Sequence, residues 1–276
     1  MEIQHNQIYN EDCLQFMKQL PDNYFDLIIT DPPYGIKMTS DGFGGSKNAD
    51  KTEYVKVEDW DNETPSEEVF KEIQRVSKNQ IIFGGNYFTD KLPVTNCWVC
   101  WDKRCGVTPE RTYADCEFIW TSFNQSARMI RFVWDGFIQD TKNKIRDKRY
   151  HPTQKPIEVI RQLIKRFAEN DNLIFDPFAG SGSHLVACKQ LGFNFVGCEI
   201  NKDYVEIIKK RLVQRSVDDF TSATPTLAEP KEFNMGLEVQ KSKISSPKLS
   251  PTEITSPNPN IRRNSDTPLK SMEQLK

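Results

Sequence analysis

Apolar residues in this chain gather into short, β-branched runs that alternate with longer stretches of helical spacing over roughly 200 residues. FDLIITDPPYG joins an apolar run to a Pro-Pro turn, the pattern of a buried parallel strand whose carboxyl end opens into a loop. In SEEVFKEIQRVSK, Val69, Ile73 and Val76 recur at helical spacing behind Ser66, a suitable N-cap, and QIIFGGNYF follows as a second strand. NCWVCW and ADCEFIWTSF read as two more strands, while 124–150 sustains no period. Ile157, Ile160, Leu163, Ile164 and Phe167 make one stripe of a helix. LIFDPFAGSGSHLVACKQLGFNFVGCEIN then gives strand, glycine turn, helix and strand, and DYVEIIKKRLVQR supplies a closing helix. The alternation predicts a doubly wound α/β fold with a mostly parallel sheet, one domain over 1–214.

The pattern stops there. Residues 215–276 fill with Ser, Thr, Pro and Lys, as in SSPKLSPTEITSPNPN, a composition that cannot bury enough surface to offset chain entropy, so a disordered tail is expected. A formal net charge of -2 argues against a protein that coats nucleic acid nonspecifically, yet a short binding site needs only a local basic surface. No apolar run reaches the ~20 residues of a membrane span, and MEIQHNQIYNEDC lacks the basic-then-apolar order of a signal peptide, so a cytoplasmic protein is expected. Seven cysteines suit reduced thiols rather than a disulfide framework. Cys97, Cys100 and Cys105 invite zinc, but strand alternation points Cys97 and Cys100 to opposite faces and no second pair follows, so no metal is expected.

Two segments carry chemistry. In Asp176-Pro177-Phe178-Ala179-Gly180-Ser181-Gly182 the glycines lie between a strand and a helix, where a missing Cβ lets the backbone approach a ligand. FNFVGCEIN ends in Glu199, about 20 residues beyond the turn, where a carboxylate can accept both ribose hydroxyls. Leu185 and Val186 fill the region where a dinucleotide site would place its third glycine. Asp176 would repel a pyrophosphate but could pair with an ammonium group. An adenosine cofactor with an amino-acid tail and no phosphate fits these features.

The second segment is Thr30-Asp31-Pro32-Pro33-Tyr34-Gly35. An exocyclic amino group on a base is a poor nucleophile because its lone pair is delocalised into the ring. The Asp31 carboxylate and the Pro32 carbonyl are suited to accept its two hydrogens. Pro32 and Pro33 stiffen the loop and remove two donors, and Tyr34 offers a face for an extruded base. Taken alone, Asp-Pro-Pro could merely end a strand; beside the glycine turn it reads as a catalytic loop.

Together these residues resemble the amino-directed DNA methyltransferases of the β class, in which the Asp-Pro-Pro-Tyr loop precedes the Phe-x-Gly-x-Gly turn. The order here is Asp31 to Tyr34, then Phe178 to Gly182, with His151-Pro152-Thr153-Gln154-Lys155-Pro156 as a third block. The resemblance runs over roughly 7–213. It implies a Rossmann-like methyltransferase fold in a circularly permuted motif order and S-adenosylmethionine as cofactor. It places Phe178, Gly180 and Gly182 along the cofactor, Glu199 at its ribose, Thr153 and Lys155 near its carboxylate end, and Asp12 near its adenine ring, where a plain turn carboxylate is the alternative. His184 departs from the hydroxyl or small residue usual after Ser183. No cysteine follows a proline, so direct transfer without a covalent intermediate is implied. Asp31 at the first position of its block favours adenine N6 over cytosine N4.

Such an enzyme needs double-stranded DNA, recognised at a specific site. Arg128, Arg131, Lys142, Lys144, Arg146, Lys148 and Arg149, interleaved with Phe132, Trp134 and Phe137, make 124–150 the expected recognition region, although charged runs also serve as solvated loops. Residues 35–62, with Gly42, Gly44 and Gly45, read as a mobile loop over the site. The resemblance adds a homodimer and a cognate restriction endonuclease as partners. Rival readings are a cofactor- and nucleic-acid-binding accessory protein without turnover, and a methyltransferase acting on RNA or a protein amide.

Overall fold

The computed structural model describes residues 2–37, 61–107, 114–135, 138–139, 147–151 and 153–213. Most of the expected loop at 35–62 and the whole tail at 215–276 lie outside these residues, as do Lys142, Lys144 and Arg146.

The chain opens with β1 (Gln7–Tyr9), α1 (Cys13–Lys18) and β2 (Phe25–Thr30). Next come α2 (Glu67–Arg75), β3 (Ser77–Phe83), β4 (Val99–Asp102), β5 (Cys116–Thr121) and β6 (Arg128–Arg131). A two-stranded ribbon of β7 (Trp134–Asp135) and β8 (Ile138–Gln139) precedes α3 (Ile157–Phe167), β9 (Leu173–Asp176), α4 (Ser183–Leu191), β10 (Asn194–Cys198) and α5 (Lys202–Val213). Eight strands form one sheet in the order β1, β10, β9, β2, β3, β5, β4, β6. Its pairs are parallel except where β5 lies antiparallel between β3 and β4. The expected doubly wound, mostly parallel sheet is present.

Each face of the sheet has its own core. Alternation along β2 and β3 sends Leu27, Ile29, Ile81 and Phe83 toward the stripe of α3 and the buried residues of α4. On the opposite side Ile28, Ile82 and Phe175 meet Phe16, Val69, Phe70 and Ile73 from α1 and α2. Phe25 and Phe16 stack on Phe175 at centroid distances of 4.4 and 5.6 Å. Burying each such ring stabilises the fold by about 1.5–3 kcal/mol, so the strands that carry the loops rest on rigid ground.

Three local differences from the sequence pattern matter. QIIFGGNYF is a strand only to Phe83; Gly84 takes a left-handed φ of 65° and the chain turns into a 3-10 turn at Gly85–Tyr87. Within 124–150, β6 adds an edge strand parallel to β4, with Cys100 opposite Met129. At the amino end, β1 and α1 emerge from a segment with no visible period, where Asp12 caps α1 by accepting the Gln15 N–H at 3.0 Å.

Candidate active site

Strand order reverses between β9 and β2, because the connections from β9 wind toward one edge and those from β2 toward the other. In open α/β sheets ligands settle in the crevice beyond the strand ends at such a point. The Asp31 loop leaves β2 there and the glycine turn leaves β9. Asp31, Tyr34, Lys155, Phe178, Gly180 and Glu199 line one cavity of about 830 Å³, space enough for a cofactor and part of a substrate.

The Asp31 loop is held from several directions. The Asp61 carboxylate accepts the N–H groups of Tyr34 and Gly35 at 2.7 and 2.9 Å. Tyr34 donates its hydroxyl to Asp31 Oδ1 at 2.6 Å and stacks on Tyr87 at 4.7 Å with 14° between the planes. Lys155 Nζ donates to Asp31 Oδ2 at 2.6 Å and lies 3.5 Å from Glu117 Oε2, and Lys103 reaches Glu117 Oε1 at 3.1 Å. Lys155 thus serves two carboxylates. Burial pushes Asp31 above the ordinary carboxylate range despite the Lys155 charge. Burial also opposes ionisation of Glu117, but Lys155 and Lys103 together hold it below its ordinary value. Lys155 is raised, since Asp31 and Glu117 outweigh the cost of its burial.

At the glycine turn, Gly180 has φ 50°, and a Cβ there would meet nothing within 4 Å. Its N–H donates to Glu199 Oε2 at 2.7 Å, and the Asn201 N–H donates to Oε1 at 2.8 Å. Burial raises Glu199 to about 7. Gln154 ties the third block to this turn, accepting the Tyr150 N–H at 2.9 Å and the Ser181 hydroxyl at 3.1 Å. Thr153 also lines the cavity, its hydroxyl 3.0 Å from His151 Nδ1. Burial and the Lys155 charge push His151 down to about 4.

Four expected cofactor residues sit otherwise than anticipated. Lys155 is at Asp31, because that carboxylate and Glu117 give a buried ammonium its partners. Asp176 is fully buried, and its oxygens are taken by the Thr30 hydroxyl at 2.7 Å, the Phe178 N–H at 3.1 Å and His184 Nδ1 at 2.7 Å. It therefore shapes the turn instead of presenting a carboxylate to a ligand. Gly182 faces α5, where a Cβ would stand 2.8 Å from Ile208 Cγ1. Asp12 is an exposed helix cap and is not among the cavity-lining residues.

Of the described basic residues in the recognition region, Arg149 lines the cavity and stacks over Trp134 at 4.6 Å. Arg128 and Arg131 lie on edge strand β6, Arg131 exposed and 3.9 Å from Asp102, and Lys148 is exposed over the Tyr150 ring at 5.1 Å. Sequence reasoning missed Asp61, Gly84, Tyr87 and Glu117. Only Gly84-Gly85 carried a local signal, a glycine pair just where a strand should end. All seven cysteines are free thiols; Cys97 is buried and Cys100 half-buried. Among the described residues no helix is long and apolar enough to cross a membrane.

The N6_N4_Mtase family, described as DNA methylase, matches residues 110–210. The chain is similar to the type II methyltransferase M.HpaI of Haemophilus parainfluenzae, 25% identical over 234 residues that span 73% of this chain and 72% of the relative. It is similar to the type II methyltransferase M2.MboI of Moraxella bovis, 26% identical over 278 residues, with 86% of this chain and 94% of the relative covered. The solved structure of the M1.HpyAVI-SAM complex is 25% identical, with a TM-score of 0.47 and coverage of 74% of this chain and 98% of that one.

Proposed function

We propose that the chain is an amino-directed DNA methyltransferase with S-adenosylmethionine as cofactor, a reading its similarity to the DNA methylase family and to type II methyltransferases supports, and that it methylates N6 of adenine at a specific site in duplex DNA. The observation that carries this reading is Asp31, a carboxylate on the cavity wall oriented from two sides by the Tyr34 hydroxyl and the Lys155 ammonium. An aspartate at this position is the sequence feature that favours adenine over cytosine.

The residues present fit the cofactor. Glu199 sets a carboxylate at the cavity for a pair of ribose hydroxyls, Gly180 leaves open space beside it, and Phe178 offers an apolar flank for a flat ring. When bound, S-adenosylmethionine supplies an electrophilic methyl group on a sulfonium.

The chain's own part is positioning and charge. Asp31 accepts one amino hydrogen and the Pro32 carbonyl the other, which draws the nitrogen lone pair out of the ring. Asp31 is also suited to hold the proton that the nitrogen sheds on methylation, since burial already raises that carboxyl. The base must leave the duplex to reach it. Tyr34, braced by Tyr87, provides a stacking face worth about 1–3 kcal/mol. Arg128, Arg131, Lys148 and Arg149 hold phosphates or read base edges, with Lys142, Lys144 and Arg146 assigned to the same task from the sequence. The reading extends to a second copy of the chain and a cognate endonuclease as partners, as the family resemblance implies.

The test is transfer of tritiated methyl from S-adenosylmethionine to unmethylated duplex DNA, with mass spectrometry of the nucleosides, for wild type and Asp31→Asn. The expected product is N6-methyladenine, formed about 10²–10³-fold more slowly by the variant while S-adenosylhomocysteine still binds. N4-methylcytosine alone would overturn the adenine assignment. Transfer to RNA or protein in preference to DNA would overturn the duplex assignment, and binding without transfer to any of them would favour an accessory protein.

A further inference from the structure

His184 departs from the hydroxyl or small residue usual at its place in the resembling family, and its surroundings are unusual. The residue is 3% exposed and lines the cavity. Nδ1 lies 2.7 Å from Asp176 Oδ2, but Nε2 is buried with no hydrogen-bond partner. Buried polar atoms are nearly always paired, and one left open on the wall of a cavity points to a ligand.

The chemistry of that ligand follows from what surrounds it. A sulfonium carries three arms. In the proposed reading the adenosyl arm ends at Glu199 and the methyl faces Asp31, so the third arm, an amino acid, must find the remaining polar groups. The neighbouring hydroxyls already have partners: Ser181 donates to Gln154 at 3.1 Å, Ser183 accepts from Arg211 at 3.4 Å, and Thr153 engages His151 at 3.0 Å. Asp176 cannot serve directly, being enclosed by Thr30, Phe178 and His184. His184 can act in its place. With Nδ1–H donated to Asp176, the neutral ring presents a lone pair at Nε2 with a carboxylate behind it, an acceptor suited to a cation. Its ring lies 5.5 Å from Phe83, the same ring that Lys155 Nζ approaches at 5.6 Å, which puts it near the reacting end of the cavity.

We propose that His184 Nε2 accepts a hydrogen bond from the α-ammonium group of the cofactor's amino-acid arm, with Asp176 fixing the ring. The inference rests on the cofactor reading above and assigns His184 a contact that its neighbours Gly180 and Glu199 do not make.

The test is calorimetric binding, with no turnover. S-adenosylhomocysteine carries the whole amino-acid arm, 5′-methylthioadenosine lacks it, and decarboxylated S-adenosylmethionine keeps the amine without the carboxylate. His184→Asn retains a donor near the Nδ1 position for Asp176 but removes Nε2. The expected result is a roughly tenfold or greater loss of affinity for S-adenosylhomocysteine and for the decarboxylated compound, with methylthioadenosine binding unchanged. Unchanged affinity for all three would overturn the proposal. A parallel loss for all three would also overturn it, because His184 would then act through the fold. Loss confined to S-adenosylhomocysteine would assign the contact to the carboxylate instead of the ammonium. Failure of the wild type to bind any of the three is a separate outcome, which removes the cofactor reading itself.

Discussion

Tyr34 lies against Gly84 with no room for another carbon between them: a Cβ at Gly84 would stand 2.2 Å from Tyr34 Cε1. The glycine that ends β3 therefore leaves room for the Tyr34 ring that stacks on Tyr87. Gly84→Ala adds that carbon and also strains a backbone at φ 65°, a cost of about 1–2 kcal/mol. The expected outcome is a displaced Tyr34, a lower melting temperature and about a tenfold loss of kcat/KM for DNA, in line with the loss of a stacking face. Fluorescence of 2-aminopurine at the target position would report weakened base extrusion. Unaltered extrusion and kinetics would separate Tyr34 from the base.

Much of the fold was legible because its central elements repeat at fixed periods. The stripe from Ile157 to Phe167 and the apolar runs before Asp31 and Asp176 lie within helices and strands at those places. What periodicity could not show is short or long-range. RMIR has too few residues to reveal β6, and the cap that Asp12 makes on α1 uses the same residue type as the cofactor contact the resemblance implies for it. The pairing of Lys155 with Asp31 crosses 124 positions, and Asp61 and Glu117 become site residues only once the chain folds back. Charge pairing of this kind leaves no local pattern.

Gly180 and Gly182 look equivalent in the sequence, yet the structure gives them different neighbours. At Gly180 a Cβ would enter open space on the cavity side; at Gly182 it would press on Ile208. Gly180→Ala is expected to cost only the strain of a left-handed residue, about 1–2 kcal/mol, while weakening S-adenosylhomocysteine binding. Gly182→Ala adds the overlap with α5 to that strain and should unfold at a clearly lower denaturant concentration. Urea titration and calorimetry on both proteins would show the split, and equal losses of stability would contradict it.

The Thr30 hydroxyl, fully buried, joins the end of β2 to the end of β9 through Asp176 at 2.7 Å. Thr30→Val preserves the shape but leaves the carboxylate one donor short, which costs about 1–3 kcal/mol. Because Asp31 is the next residue, kcat should fall with KM for the cofactor little changed, and Thr30→Ser should recover most of both losses. A fall in stability without any change in kcat would confine Thr30 to the core.

Glu199 gives the protein a dependence on pH with a definite sign. Its folded value of about 7 stands above the ordinary 4.5, so between those limits the folded chain binds a proton that the unfolded chain has released. The stability this proton confers is present below about pH 4.5 and is lost as pH rises toward 7, a change on the order of 3 kcal/mol. Glu199→Gln removes the titration, and the stability of wild type minus that of the variant should decline across this window and level off above it. Ligand binding runs the other way, because an ionised carboxylate accepts two hydroxyls better than a protonated one. Affinity for S-adenosylhomocysteine should therefore rise about tenfold from pH 6 to pH 8, as the ionised fraction climbs through its midpoint. Calorimetric titrations at the two pH values, run on both proteins, would show the rise in wild type alone; the same rise in Glu199→Gln would move the titration to another group.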